Sequence, residues 1–451
     1  MIDHSKLSQK YGGNAPRYTS FPTAPHFNAS VTEDVYRTWL SGVGAGEPTS
    51  LYLHVPFCHQ LCWYCGCNTR ATQSYRPVAQ YLEALIKEFT SVKDAMTERP
   101  VIKAVHWGGG TPTIVTGGDF LDAMNKLRGV FDLAPDAQIA VEIDPRSMTE
   151  SKAELLACAG VTRASLGVQE FAEHVQSAIN RRQSHQQVAR TVAMLRAAGV
   201  KSISFDLMYG LPKQTVADVE KTAALTAELR PERVSVFGYA HVPWMKSHQR
   251  LIDEATLPGE RERLQQSIAA ARVLKQAGYD AIGLDHFALP NDSLSVLAKS
   301  GGLRRNFQGY SDDPANTLIG FGASAIGSFP QGYVQNITDT RDYLAAIKDG
   351  RLPIARGIAT SDEDRLRRDI IERLMCDYST DLGAVCRKHG ASPGLFTDER
   401  NRLEEFAKDG LVAVEGDVIK IPGEFRPYVR SICAVFDNYL KTGKARHSRV
   451  I

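Results

Sequence analysis

The sequence predicts an α/β fold: an incomplete TIM-like (β/α)6 barrel with an N-terminal extended arm and a mostly helical C-terminal domain. Three observations predict it. Six short runs rich in β-branched and aromatic residues alternate with helical patterns between residues 50 and 239, which is the mark of βαβ units and a parallel sheet. Polar or glycine-rich residues close each run, where barrel folds place their sites. From about Thr360 the pattern becomes mostly helical.

Each element follows in order. Residues 1–48 carry Pro16, Pro22, Pro25 and Pro48 and read as an extended arm that covers the site. The barrel and its C-terminal extension take residues 49–359. Its strands are expected at 50–55, 101–107, 138–143, 162–167, 201–207 and 233–239. The first helix runs over 77–94, with Tyr81, Leu82, Leu85, Ile86 and Phe89 at helical spacing. Others cover 118–131, 151–159, 184–198 and 215–229, with Gly199 and Pro231 where helices should stop. A long charged helix is expected over 259–277. Residues 285–328 are rich in Gly, Asn and Ser and read as loops and short elements around a site. The third domain, 360–451, opens with Ser361 to Asp364 capping a helix. A hairpin turns at Gly416-Asp417, and a last helix spans about Glu424 to Leu440.

Composition narrows the function. Apolar residues make up 43% and charged residues 23%, as in ordinary globular proteins. A net charge of +2 gives no global field to recruit nucleic acid. Met1 to Lys10 is polar and lacks a signal-peptide core. No apolar run nears the roughly 18–20 residues of a membrane span. A cytoplasmic location is expected, and it suits reduced thiols.

The chemistry centres on Cys58-His59-Gln60-Leu61-Cys62-Trp63-Tyr64-Cys65-Gly66-Cys67. Three thiolates at this spacing can hold three irons of a [4Fe–4S] cube and leave the fourth iron open. A zinc site completed by Cys67 or His59 is the competing reading, although no second Cys/His pair appears. A disulfide framework has no support, because nothing marks the chain as secreted. Cys158, Cys376, Cys386 and Cys433 lie singly on helix-like segments and read as packing residues.

Further polar residues fall at the expected strand ends. They are Gly108-Gly109-Gly110-Thr111-Pro112, Glu142 with Asp144, Gln169, Asp206, and Tyr239-Ala240-His241. Each also has an ordinary reading. The glycines could form a tight turn, Glu142 and Asp206 could be structural ion-pair partners, and Arg181 could be a solvated charge.

The C-x3-C-x2-C spacing resembles that of the radical S-adenosylmethionine (SAM) superfamily. The resemblance sharpens with Pro16-Arg17-Tyr18-Thr19-Ser20-Phe21-Pro22-Thr23-Ala24, Leu51-Tyr52-Leu53-His54-Val55-Pro56-Phe57-Cys58 and His106-Trp107-Gly108-Gly109-Gly110-Thr111-Pro112. It continues through Tyr209-Gly210-Leu211-Pro212-Lys213-Gln214-Thr215, Asp285-His286-Phe287-Ala288, Arg305-Asn306-Phe307-Gln308-Gly309-Tyr310 and Ser448-Arg449-Val450-Ile451. Over nearly its whole length the chain resembles the oxygen-independent coproporphyrinogen III oxidases (coproporphyrinogen dehydrogenases) of haem biosynthesis.

The resemblance implies an activity and a site. Two propionates of coproporphyrinogen III would become vinyls with loss of two CO2, giving protoporphyrinogen IX by way of a 5′-deoxyadenosyl radical. It implies a [4Fe–4S] cluster and two SAM molecules. By position, Cys58, Cys62 and Cys65 would ligate the cluster. Tyr52, Gly109, Glu142 and Ile326 would contact the first SAM. Tyr64, Gly110, Thr111, Gln169, Arg181, Asp206 and Ala240 would contact the second. Cys67 matches the family's fourth cysteine, with a role near the substrate or in packing. Arg17, Arg304 and Arg305 are candidates for the propionates, with Tyr18, Phe307 and Tyr310 as flat surfaces for the macrocycle. A low-potential donor such as flavodoxin and a monomeric state are implied. The alternative is a haem-binding chaperone of the same fold, which generally lacks the arm and the fourth cysteine. A ring-opening methyltransferase acting on haem is a further rival, opposed by the full-length resemblance.

Overall fold

The computed structural model describes residues 4–440 and divides into two compact units. One contains residues 28–258 and 313–359. The other is built from the segment ending at Phe27, from Gly259–Asp312, and from the chain after Thr360.

The first unit is built on the six expected strands. They are β1 (Pro48–Val55), β2 (Val101–Gly109), β3 (Asp132–Ile143), β4 (Arg163–Gln169), β5 (Ser202–Tyr209) and β6 (Arg233–Gly238). All pair in parallel and in chain order, as a (β/α)6 arrangement requires. Leu51, Leu53 and Val55 of β1 are buried, as are Val234 and Val236 of β6. Strands covered on both faces read as apolar runs, which is why these were visible in the sequence.

The helices between them are α1 (Arg76–Asp94), α2 (Gly117–Val130), α3 (Glu150–Cys158), α4 (His185–Ala197) and α5 (Val216–Leu229). The α1 helix buries Val78, Tyr81, Leu82, Leu85, Phe89 and Val92, one apolar stripe at helical spacing. Starts are fixed by side-chain caps. Thr116, Thr149 and Ser184 each accept a backbone N–H, and Thr215 with Asp218 forms a capping box.

The sheet extends beyond the barrel strands. β7 (Thr317–Phe321) pairs in parallel with the free side of β1, setting Leu51 opposite Ile319 and Tyr52 opposite Gly320. Antiparallel β8 (Ile326–Phe329), β9 (Gly332–Asn336) and β10 (Ile354–Ala359) follow. The loops and short elements expected over 285–328 thus include β7, only five residues long, and most of β8.

The segment before β1 is more regular than an extended arm. A helix over Glu33–Ser41, capped by the Thr32 side chain, buries Tyr36, Trp39 and Leu40. Its prolines lie outside this helix, so they do not break it. Asn28 exchanges backbone hydrogen bonds with Gly357 on β10, both 2.8 Å.

The second unit is largely helical. Glu260–Gln276 and Asp362–Asp377 are its longest helices, the latter opened by the expected Ser361–Asp364 capping box. Leu366, Ile370, Leu374, Leu403, Ile432 and Phe436 belong to its core. The expected hairpin sets Val414 opposite Ile419. The last helix is shorter than expected. Gly423–Tyr428 is a 3-10 turn containing Pro427, and only Val429–Cys433 is α-helical, since proline lacks the N–H an α-helix needs. The motif Ser448–Ile451 lies outside the described residues. No described helix is long and apolar enough to cross a membrane.

Candidate active site

The cysteine loop joins β1 to α1. Its thiols meet hydroxyls and cations. Thr69 Oγ1 lies 3.3 Å from Cys58 Sγ, and Thr111 Oγ1 donates to the same sulfur at 3.4 Å. Arg181 Nη1 donates to Cys62 Sγ at 3.4 Å, with Arg146 Nη2 at 3.9 Å. The hydrogen bond with Cys67 draws the Cys65 thiol down to about 7, helped by the Lys246 and Arg181 charges against the opposing effect of burial. Cys67 is exposed.

A second segment holds the backbone of this loop. Gln249 Nε2 donates to Tyr64 O at 2.9 Å, His248 Nε2 to Cys65 O at 2.7 Å, and Lys246 Nζ to Cys67 O at 2.9 Å. Among the described residues, no three Cys, His, Asp or Glu side chains converge on a single metal position. A zinc site needs that convergence, whereas a cubane takes one thiolate per iron.

At the ends of β1, β2 and β3 a polar group faces the same end of the sheet. Glu142 accepts from Gly109 N at 3.0 Å and engages His106 Nε2 at 3.1 Å. The Tyr52 ring stacks on His106 with centroids 5.8 Å apart. His54 Nε2 donates to the Asn68 carbonyl at 2.9 Å, which leaves Nδ1 to accept from Tyr52 Oη at 3.0 Å. A Cβ on Gly320, opposite Tyr52, would lie 2.9 Å from the Ile326 backbone, so Ile326 sits beside Gly320, one strand beyond Tyr52.

The glycine run is demanded by close packing as well as by the turn. Gly109 has φ +117°, and a Cβ there would stand 2.8 Å from the His54 ring. At Gly110 it would lie 2.6 Å from Phe57 O. Its N–H donors are engaged within the protein: Gly109 N with Glu142, Gly110 N with Val55 O (2.9 Å) and Thr111 N with Phe57 O (2.8 Å).

Farther along the sheet, Arg181 is no solvated surface charge; it is only 7% exposed. It donates to Gly167 O and to Cys62, and its Nη2 lies 3.6 Å from Asp144 Oδ1. Burial favours the neutral form of Asp144, but Arg181 and Arg146 outweigh it and hold the carboxyl at about 2. The buried Arg181 Nε has no protein partner. Gln169 takes φ +67°, a left-handed conformation uncommon for a non-glycine residue. Asp206 accepts from Ser165 Oγ at 3.0 Å. The Ala240 carbonyl accepts from Gln249, and Tyr64 packs against buried Val175, Ile179 and Tyr239.

Several contributors were not read from the sequence. His106 positions Glu142, and Arg146 pairs with Asp144 at 2.6 Å. Glu170 accepts from Phe171 N, Ala172 N and Gln214, fixing the turn after Gln169. Lys246, His248 and Gln249 hold loop carbonyls some 180 residues away, a relation that local spacing does not encode.

The candidate substrate residues of the second unit need correction. Tyr18 and Tyr310 are core residues, donating to Asp437 and Met375 O, and do not present open faces. Arg305 lies over the Tyr310 ring and donates to Arg17 O at 3.2 Å through Nη2. It braces the arm segment, and its buried Nη1 has no protein partner. Arg17 is exposed, and Arg304 and Phe307 are partly buried.

The radical SAM superfamily model matches residues 52–226. An oxygen-independent coproporphyrinogen III oxidase of Bradyrhizobium diazoefficiens is 48% identical, covering 99% of both chains. One from Paracoccus denitrificans is 42% identical over 95% of both, and one from Salmonella typhimurium 38% over 99% of this chain and 98% of its own. The solved coproporphyrinogen III oxidase of Escherichia coli, a radical SAM enzyme, superposes with TM-score 0.91 at 36% identity, covering 97% of this chain and 99% of that one. The superfamily uses a [4Fe–4S] cluster and SAM. The cysteine loop suits such a group: thiols in one short segment, hydroxyls and guanidinium groups on their sulfurs, and an unpartnered buried Arg181 Nε beside them. The chain belongs to the oxygen-independent coproporphyrinogen III oxidase family of radical SAM enzymes.

Proposed function

We propose that this chain converts coproporphyrinogen III to protoporphyrinogen IX without oxygen, oxidising and decarboxylating two propionates to vinyls. One observation carries the reading: a chain matched to these oxidases over 99% of its length sets the cysteine loop, Tyr52 and Glu142 at one end of a single sheet. When bound, the cluster and SAM supply radical hydrogen abstraction at the propionate β-carbon.

The residues then take the following roles. Cys58, Cys62 and Cys65 hold the cluster and leave one iron for SAM. Tyr52, Gly109, Glu142 and Ile326 line the place of that SAM. Glu142, held by Gly109 N and His106, accepts from its ammonium or ribose. Tyr64, Gly110, Thr111, Gln169, Arg181, Asp206 and Ala240 line a second SAM place. There Asp206 takes a hydroxyl or ammonium and Arg181 supplies its free Nε–H. Cys67, exposed at the end of the loop, faces the substrate. The protein works as a cytoplasmic monomer with a low-potential donor such as flavodoxin.

The test is an anaerobic assay of protein with a reconstituted cluster, given dithionite, SAM and coproporphyrinogen III. Protoporphyrin is read by fluorescence after oxidation. Wild type should form it and Cys62→Ala should not. SAM cleavage with no protoporphyrin, together with tight haem binding, would move the assignment to a haem chaperone.

A further inference from the structure

We propose that Val242–Leu251, with the adjoining cysteine loop, is the docking surface for an acidic one-electron flavoprotein. The inference rests on the functional reading above, since only a cluster that must be reduced requires such a partner.

The segment has two faces. One is turned to the cysteine loop: Gln249, 1% exposed, donates to Tyr64 O, His248 to Cys65 O and Lys246 to Cys67 O. The other carries Trp244, Met245 and Leu251, which are 56%, 69% and 59% exposed. Among the described residues seven large hydrophobics are exposed, and three of them fall within the eight positions from Trp244 to Leu251. Single exposed apolar residues are ordinary, but a cluster marks an interaction surface. This one lies a single hydrogen bond from the backbone of the cysteine loop.

Charge names the partner. Val242–Leu251 contains Lys246 and Arg250 and no carboxylate. The chain from Cys58 to Leu82 contains Arg70 and Arg76 and again no carboxylate. Arg70, Arg76 and Arg250 are exposed. The next carboxylates, Asp253 and Glu254, lie just past the segment; both are exposed, and they bond Ala255 N and His241. A chain of net charge only +2 therefore gathers cations and excludes anions along both segments. Exposed apolar side chains with Lys246 and Arg250 in the same segment fit an acidic partner and speed its encounter. In the transfer the donor's reduced flavin loses one electron and the cluster gains it. No bond forms or breaks, and no proton moves.

The test uses the full chain with its cluster, a purified flavodoxin in its reduced form, and dithionite as a small reductant that needs no docking. The variants are the triple substitution W244S/M245S/L251S and Arg250→Glu, each checked for an unchanged melting midpoint. The triple variant should bind flavodoxin about tenfold more weakly by calorimetry, and Arg250→Glu should weaken binding most at low salt. Flavodoxin-driven turnover should fall with binding, while dithionite-driven turnover and the KM for coproporphyrinogen III stay at wild-type values. Unchanged flavodoxin binding overturns the proposal. So does a parallel fall in dithionite-driven turnover or a raised substrate KM, which would make the patch a substrate entrance. Loss of self-association or of vesicle binding, with flavodoxin binding intact, would assign it to a second copy or a lipid surface. If wild type gives no protoporphyrin with dithionite, the functional reading fails, and calorimetry still decides docking by itself.

Discussion

Two groups of cysteines in this chain meet opposite surroundings. In the loop after β1, sulfur atoms sit against hydroxyls and guanidinium groups; the Cys65 thiol is drawn down to about 7, while the hydrogen bond with Cys65 pushes the Cys67 thiol up and burial pushes Cys58 up. In the helical unit Cys376, Cys386 and Cys433 are buried, and burial pushes their thiols up. The thiolate is the metal ligand and the thiol is a small apolar group. The residue type is the same, and its neighbours decide which it becomes. Cys158 belongs to neither group. It was expected to pack and is exposed.

Breaking the loop should have the largest effect. Cys62→Ala removes a sulfur that Arg181 and Arg146 both address, and turnover should fall by at least about a thousandfold with loss of cluster iron, since the cofactor carries the hard chemistry. Iron and sulfide analysis checks it. Cys433→Ala should keep full iron content.

The charges supporting the loop come next. Asp144→Asn leaves Arg181 and Arg146 without their carboxylate and should cost about 3 kcal/mol of stability at pH 7 by urea unfolding. The pH dependence has a definite sign. Asp144 is held at about 2, below its ordinary 3.8. Its contribution is present above that ordinary value and is lost as pH falls toward 2, so wild type and variant should converge there. A gap that persists to the acid limit would show that the pair is held by shape alone.

Smaller changes test the polar group beside the loop. Glu142→Gln loses a charge-assisted acceptor and should weaken SAM binding about 10- to 100-fold, measured by equilibrium dialysis. In the helical unit Cys433→Ala should cost only about 1 kcal/mol by thermal unfolding, the scale of one small buried group removed. With metal-free protein, a thiol reagent should modify Cys65, whose thiol is drawn down to about 7, well before Cys376, Cys386 and Cys433, which react only on unfolding. Equal labelling of both groups would erase the contrast.

The barrel was legible because its strands are apolar runs and its helices carry one-sided stripes. What escaped was short or long-range. The helix Glu33–Ser41 has little more than two turns and follows proline-rich chain. β7 has five residues and gains its place only by pairing with β1, more than 260 positions earlier. The cysteine loop and most strand-end residues were visible as motifs. Their supports were not, since His106, Arg146 and Gln249 have value only through the atoms they reach. The hold of Arg305 on the Arg17 carbonyl was hidden for the same reason.

The most direct test of the account is the product balance of one anaerobic reaction on cluster-loaded wild-type protein with SAM, dithionite and coproporphyrinogen III. The account predicts protoporphyrinogen formation with two CO2 released for each molecule made. Cleavage of SAM with no CO2 and an intact substrate would contradict it.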